Sequence, residues 1–287
     1  MSDQRWKRPS SVPFPSVWRR VKGRKPLADG KIPSFIIQDV PEDREEELID
    51  FMEAHFIHNE PISKSLNFAD DAESIVEIRQ LWKDLLKDRV SVIAFVEGDG
   101  PRPRIAGTNM LGVTHKADKD QPNTFKGEVI QKVINFLDTV GRVADPFHKY
   151  GVSEYMTAMG LSVAKEFQGQ GLGLELLKAR SEVGRAVGLR LTVTVFTAIE
   201  SQVLADRVGF QLLGEVAYQE YKVDGKIVYP DVTEHNRYSS PMASLVLTDS
   251  SQLTAKSFEK LPDQIMYLYA KPDDLQNMCL AAVTSDG

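Results

Sequence analysis

The chain has 287 residues, 42% hydrophobic and 26% charged, an ordinary globular composition long enough for a sizeable core. Its single cysteine, Cys279, excludes an intrachain disulfide and a cysteine-based zinc site. The net charge of −6 is uneven: residues 1–33 carry nine Lys/Arg against two Asp, a net of +7, leaving −13 elsewhere, which argues against nucleic acid as substrate and mildly favours small cations.

Residues 1–33 read as a basic, proline-rich, disordered arm, with Pro9, Pro13, Pro15, Pro26 and Pro33 breaking any period. The run Arg19-Arg20-Val21-Lys22-Gly23-Arg24-Lys25 fits a solvated tail; a nuclear signal or a contact with an anionic partner are the functional alternatives. Lys7-Arg8-Pro9-Ser10 resembles a basophilic kinase site. The arm has no apolar h-region and no run approaches 18 apolar residues, so neither a signal peptide nor a membrane span is expected. The expected location is cytoplasmic, with the nucleus as the alternative that the arm raises.

A domain is expected over 34–248. Phe35-Ile36-Ile37 opens it as a strand. Pro41 and the acidic Glu42-Asp43 start a helix with Leu48, Ile49, Met52 and Phe56 on one face, ending near Asn59 because Pro61 pushes Glu60 out of helical dihedrals. A second helix spans Asp71 to Asp88, with Ile75, Ile78, Leu81, Trp82 and Leu85 on one face. Val90 to Glu97 and Ile105 to Thr114 form a hairpin around Gly98-Asp99-Gly100. Phe125 to Val140 is helical; Tyr155 to Val163 is a strand; Gly171 to Val187 is a helix. Leu191 to Phe196 is a β-branched strand, Glu200 to Val208 a short helix, Phe210 to Tyr218 a strand, Asp224-Gly225 a turn and Ala243 to Leu247 a last strand. The alternation predicts a mixed α/β sheet in one domain. Residues 249–287 form an extension of uncertain structure, in which Ile265, Met266, Tyr267 and Leu268 are candidates for docking on the body.

The most informative stretch runs from Met159 to Leu177: a strand, the turn Gln168-Gly169-Gln170-Gly171-Leu172-Gly173, then an amphipathic helix. A helix start leaves backbone N–H groups unpaired and carries positive partial charge, and glycines let that backbone approach a pyrophosphate. The spacing is G-x-G-x-G, and the following strand has no carboxylate, so a dinucleotide fold does not fit; no G-K-[ST] follows, so a P-loop is excluded.

This loop resembles the acyl-CoA signature of the GNAT superfamily, Q/R-x-x-G-x-G/A, through Gln168, Gly171 and Gly173, and Leu161-Ser162-Val163 is similar to the strand before it. Four further segments resemble insect-type arylalkylamine N-acetyltransferases: His58-Asn59-Glu60-Pro61-Ile62-Ser63-Lys64-Ser65-Leu66, Ile105 to Leu111, Ser201 to Phe210, and Val223 to Pro230. The similarity covers roughly Phe35 to Leu247. It implies a GNAT fold: about seven strands in a mixed twisted sheet flanked by helices, with a splay between strands 155–163 and 191–196.

The resemblance also implies acetyl-CoA as co-substrate, no metal, and a small primary amine such as dopamine, serotonin, octopamine or tryptamine as acceptor. It places Leu161, Ser162, Val163, Gln168, Gly169, Gln170, Gly171, Leu172, Gly173 and Ser201 at the cofactor. Glu60 matches the family's general base, which acts through ordered water. Ser201 matches a serine near the CoA thiol. Thr197 stands where the family often has another serine, keeping the hydroxyl. The chemistry agrees: an arylalkylammonium must lose a proton before attacking a thioester, and a carboxylate shielded beside a pocket can accept it. Other acceptors (a polyamine, an amino acid, a protein N-terminus), a longer acyl donor, or a non-catalytic acyl-CoA-binding module remain alternatives. His55 and His58 lack a third ligand and read as surface or half-buried histidines; His115, His148 and His235 are isolated. Phe51, Phe56, Phe68, Phe147 and Tyr150 are core candidates, one or two of them able to line an aromatic pocket.

Overall fold

The computed structural model describes residues 5–118, 123–232 and 239–247. Expectations for 249–287, for Cys279 and for His235 lie outside the described residues.

Ten strands form. Those of the main sheet are β1 (Val17–Lys22), β2 (Ser34–Asp39), β3 (Val92–Val96), β4 (Ile105–His115), β5 (Glu154–Val163), β6 (Leu191–Val195), β7 (Gln211–Ala217) and β10 (Ser239–Val246). The other two, β8 (Lys222–Val223) and β9 (Lys226–Ile227), make a separate hairpin whose turn residues Asp224 and Gly225 have φ of 51° and 76°, as a two-residue primed turn requires. The sheet order is β1-β2-β3-β4-β5-β6-β10-β7, and all of its pairings are antiparallel except β5 with β6.

Alternation along the strands divides the core. Ile93 and Phe95 of β3 face one cluster, Val92, Ala94 and Val96 the other, as a period of two demands. On the first face lie α1 (Glu45–Met52), α3 (Ala72–Leu86) and α4 (Glu128–Ala144), bringing Leu48, Trp82 and Phe136 to the sheet. On the second lies α6 (Leu172–Ala186), with Leu172, Leu176, Ala179 and Val183 inward. The starts of α3 and α4 share one cap: the Asp71 carboxylate accepts from Ser74 N–H and Oγ and from Val129 N–H, while Ser74 Oγ accepts from Ile130 N–H.

The basic segment departs from expectation. Residues 1–33 are not a disordered arm over their described length: β1 pairs with β2 and gives the sheet its eighth strand where about seven are expected. The cause is long-range. Asp39 accepts from Arg8 at 2.8 Å, from Trp18 Nε1 at 2.7 Å and from Ser16 N–H at 2.8 Å, and Trp18 and Val21 pack against the α6 cluster. Arg19 pairs with Glu175 and Glu182 on α6, and Arg20 with Glu97. Burial pushes the Asp39 carboxyl up even against the opposing bonds from Ser16, Trp18 and Arg8.

Smaller departures follow local chemistry. The first helix is broken into a 3₁₀ turn (Glu42–Arg44), α1, and a π turn (Glu53–Ile57). The fourth continues to Ala144, where Asp145, in the left-handed region, stops it and Pro146 opens the short α5 (Pro146–Tyr150). Pro61 likewise opens α2 (Pro61–Ser65).

Candidate functional site

The site begins with a defect in β5. Asn109 of β4 faces Leu161, and Leu111 faces Ala158, so Met110 stands opposite two residues, Met159 and Gly160. That is a β-bulge, which bends its strand. Gly160 has φ of +130°, a conformation that favours glycine, and a Cβ there would meet Met52 Cε at 2.5 Å, so the methionine tip would have to shift. The carbonyls at the bulge are held: Trp82 Nε1 donates to Met159 O and Asn109 Nδ2 to Gly160 O, at 2.9 and 2.8 Å.

Beyond the bulge β5 and β6 part. Their one register pair is Met156 with Thr192, and the hydroxyls of Thr192 and Thr194 reach across to Met156 O and Ala158 O, both at 3.1 Å. Between the diverging strands lies a cavity of about 660 Å³. Ala158, Leu161, Ser162 and Val163 line it from β5; Thr194, Val195, Phe196 and Thr197 line it from β6 and its exit. The splay expected between 155–163 and 191–196 is therefore present.

One wall carries a carboxylate. Glu60 is the N-cap of α2 and is buried, 8% exposed. It accepts from Ile62 N–H at 3.2 Å, Ser63 N–H at 2.8 Å and Ser63 Oγ at 2.7 Å. A fourth donor comes from the loop after β6: Thr197 Oγ1, at 2.6 Å. Tyr218 holds that loop by donating to Thr197 O at 2.9 Å. Tyr229 is nearby, and burial, then the Glu60 carboxylate, push its phenol far up, so it stays protonated. Ser201, in the first turn of α7 (Ile199–Val208), donates to Ala198 O at 2.7 Å.

Another wall is the start of α6. The first bond of the helix runs from Glu175 N–H to Gly171 O, so the amides before Glu175 have no acceptor within it. Gly169 and Gly171 sit at φ of 74° and 80°, in the left-handed region that glycine adopts most readily, as the chain turns into the helix. Gly173 serves packing: a Cβ there would stand 3.0 Å from Leu204 of α7.

Glu60, Thr197, Ser201, Leu161, Ser162, Val163, Gln168, Gly169, Gly171, Leu172 and Gly173 all border this single cavity. Gln170 does not: it is buried, and its carboxamide turns toward residues 24 and 25. Phe56, one of the aromatics expected to be core or to line a pocket, borders the cavity from the π turn, together with His55, which was expected to be a surface or half-buried histidine, and Asn109 of β4 also lines it. The sequence reading missed Arg180, another lining residue. Arg180 is fully buried, and burial lowers its pKa to about 9; it donates to Thr192 Oγ1 and Val193 O, while its Nη1 has no partner among the described residues. Its place on the inward stripe of α6, one turn from Leu176, Leu177 and Val183, was the available signal. Arg24, read as part of a tail, also borders the cavity.

Among the described residues no group of three or more His, Cys, Asp or Glu is placed to hold a metal, and no helix is long and apolar enough to cross a membrane. The arrangement combines a helix start with unpaired amides, a slot between two parting parallel strands, and a buried carboxylate bonded to a hydroxyl.

No family model matches the chain, and no curated protein does. Solved structures do. The insect protein designated arylalkylamine N-acetyltransferase 7, from the yellow fever mosquito Aedes aegypti, is 36% identical over 85% of this chain and 100% of its own, with a TM-score of 0.78. Arylalkylamine N-acetyltransferase 2 from Aedes aegypti is 21% identical over 75% and 99%, at 0.67. The polyamine N-acetyltransferase of Drosophila melanogaster is 19% identical over 74% and 99%, at 0.63; these last two share the fold.

Proposed function

Since the chain belongs to the arylalkylamine N-acetyltransferase family of the GNAT superfamily, we propose that it transfers the acetyl group of acetyl-CoA to the primary amine of an arylalkylamine by direct attack. The observation that carries this reading is the bond from Thr197 Oγ1 to Glu60 at the edge of a cavity that also reaches the bare start of α6.

The amides around Gly169, Gly171 and Leu172 suit a diphosphate, because glycines at positive φ leave that helix start without a side chain of its own. The slot between β5 and β6 suits the pantetheine arm, with Leu161, Ser162 and Val163 offering backbone groups along it. Acetyl-CoA supplies the acyl group as a thioester. Glu60 takes the proton of the incoming ammonium through ordered water, and the Thr197 hydroxyl and the α2 amides fix its direction. Ser201 borders the same cavity; its hydroxyl, which donates to Ala198 O here, would turn to give the departing thiolate a proton and regain one from solvent water. Phe56 offers a ring beside Glu60 for an aromatic amine. No covalent enzyme intermediate is needed.

The test is a panel of amines with acetyl-CoA, following thiol release. Turnover of dopamine, serotonin, octopamine or tryptamine is expected. Release with agmatine or spermidine alone would reassign the acceptor, and CoA binding with no release at all would leave a binding module.

A further inference from the structure

The nine cations of residues 1–33 divide by what they touch. Arg8, Arg19 and Arg20 pair with carboxylates and hold the segment to the sheet and to α6. Arg24 and Lys25 make no ion pair among the described residues, and they lie on the glycine turn instead. A Cβ placed on Gly171 would stand 2.6 Å from the guanidinium carbon of Arg24; one on Gly169 would stand 2.7 Å from Lys25 Nζ. The backbone is fixed to do this. Gln170 Oε1 accepts from Arg24 N–H at 2.8 Å and Lys25 N–H at 3.1 Å, and Gln170 Nε2 donates to Lys25 O at 3.0 Å. Gly23 lets the strand pass: a Cβ there would meet Gln170 Oε1 at 2.6 Å.

Two unpaired cations beside a helix N-terminus are electrostatically unfavourable, since that end already carries positive partial charge. A buried clasp that holds them there makes sense if an anion completes the site. We propose that Arg24 and Lys25 are diphosphate-binding residues, so that the segment after β1 forms the outer half of the acetyl-CoA site, with Gln170 as its positioning residue. This rests on acetyl-CoA being the donor. The inner half is then the α6 amides and the outer half two side-chain cations, closing around one diphosphate.

The proposal is tested by calorimetric affinities for CoA and dephospho-CoA, and by turnover of acetyl-pantetheine, which lacks the diphosphate. The variants are Arg24→Ala, Arg24→Gln, the double Arg24→Ala/Lys25→Ala, and Lys31→Ala, which removes a cation of the same segment, exposed as Arg24 and Lys25 are but not set against Gly169 or Gly171. The double variant should bind CoA and dephospho-CoA at least tenfold more weakly, by equal factors, the scale of a lost charge-assisted bond. The KM for acetyl-CoA should rise with kcat nearly unchanged, and acetyl-pantetheine turnover and Lys31→Ala should match wild type. Arg24→Gln keeps length and polarity, so a loss there at unchanged melting temperature excludes misfolding as the cause. Wild-type CoA affinity in the double variant overturns the proposal. A loss for CoA but not for dephospho-CoA also overturns it, since the cations would then read the 3′-phosphate. If wild-type protein binds no CoA, the reading beneath it falls instead.

Discussion

Replacing Glu60 with glutamine separates a catalytic carboxylate from a structural one. The side chain accepts four hydrogen bonds in the fold, two of them from backbone amides at the start of α2. A glutamine retains one acceptor oxygen, so one amide of the cap loses its partner, while the hydroxyl on that side, Thr197 or Ser63, can rotate to accept from the new NH₂. Losing one capping bond and the charge behind the other costs about 1–2 kcal/mol. In a domain of this size that lowers Tm by roughly 2–8 °C, leaving the protein folded at assay temperature. Loss of a general base costs far more, about 10²–10⁴ in kcat. The assay is kcat and KM against pH for a primary arylalkylamine, with CoA affinity measured in parallel. Glu60→Gln should lose kcat by that factor across the pH range assayed and keep CoA affinity within about twofold. The companion variant Thr197→Val removes the 2.6 Å donor and leaves the cap in place, so it should fall between the two. If Glu60→Gln retains half of the wild-type kcat at neutral pH with its Tm lowered, the carboxylate is only a helix cap.

Gly160→Ala should destabilise by more than about 1 kcal/mol, through its positive φ and the clash with Met52, and should raise the KM for acetyl-CoA as β5 straightens toward β6; chemical denaturation and steady-state kinetics read the two effects. Asp71→Asn should cost about 1 kcal/mol at pH 7 by weakening the cap shared by α3 and α4. Bonds from the Ser74 hydroxyl first, then from backbone amides, hold the Asp71 carboxyl below its usual range. Its stabilisation is therefore present above the unfolded value near 3.9 and lost as pH falls through the lower folded value, so wild type and variant should converge in acid denaturation curves below about pH 4.

How much of this was legible in sequence depended on the range of the interactions involved. The strand, glycine turn and helix from 154 to 186 carry their own signals, since alternation, φ > 0 residues and a helical stripe are all local. The Glu60-Pro61 helix start is local too. The basic segment was misread because its structure is held by distant partners: Arg8 meets Asp39, Arg19 meets Glu175 and Glu182, and Arg24 and Lys25 are clasped by Gln170. Prolines and arginines at that density look like a tail unless the carboxylates that receive them are known. Gly160 gave a readable hint, since an isolated glycine inside a strand marks a bulge. That the bulge opens β5 from β6 followed only from the register with β4.

Calorimetric titration of CoA into the wild-type protein and into Gly171→Asp probes the start of α6 directly. The aspartate strains a residue at φ of 80° and sets a carboxylate among amides that would otherwise meet a phosphate. Wild type should bind with measurable heat and a raised melting temperature, and the variant at least about tenfold more weakly. Equal heats and equal shifts in both proteins would mean that the diphosphate does not sit on this helix.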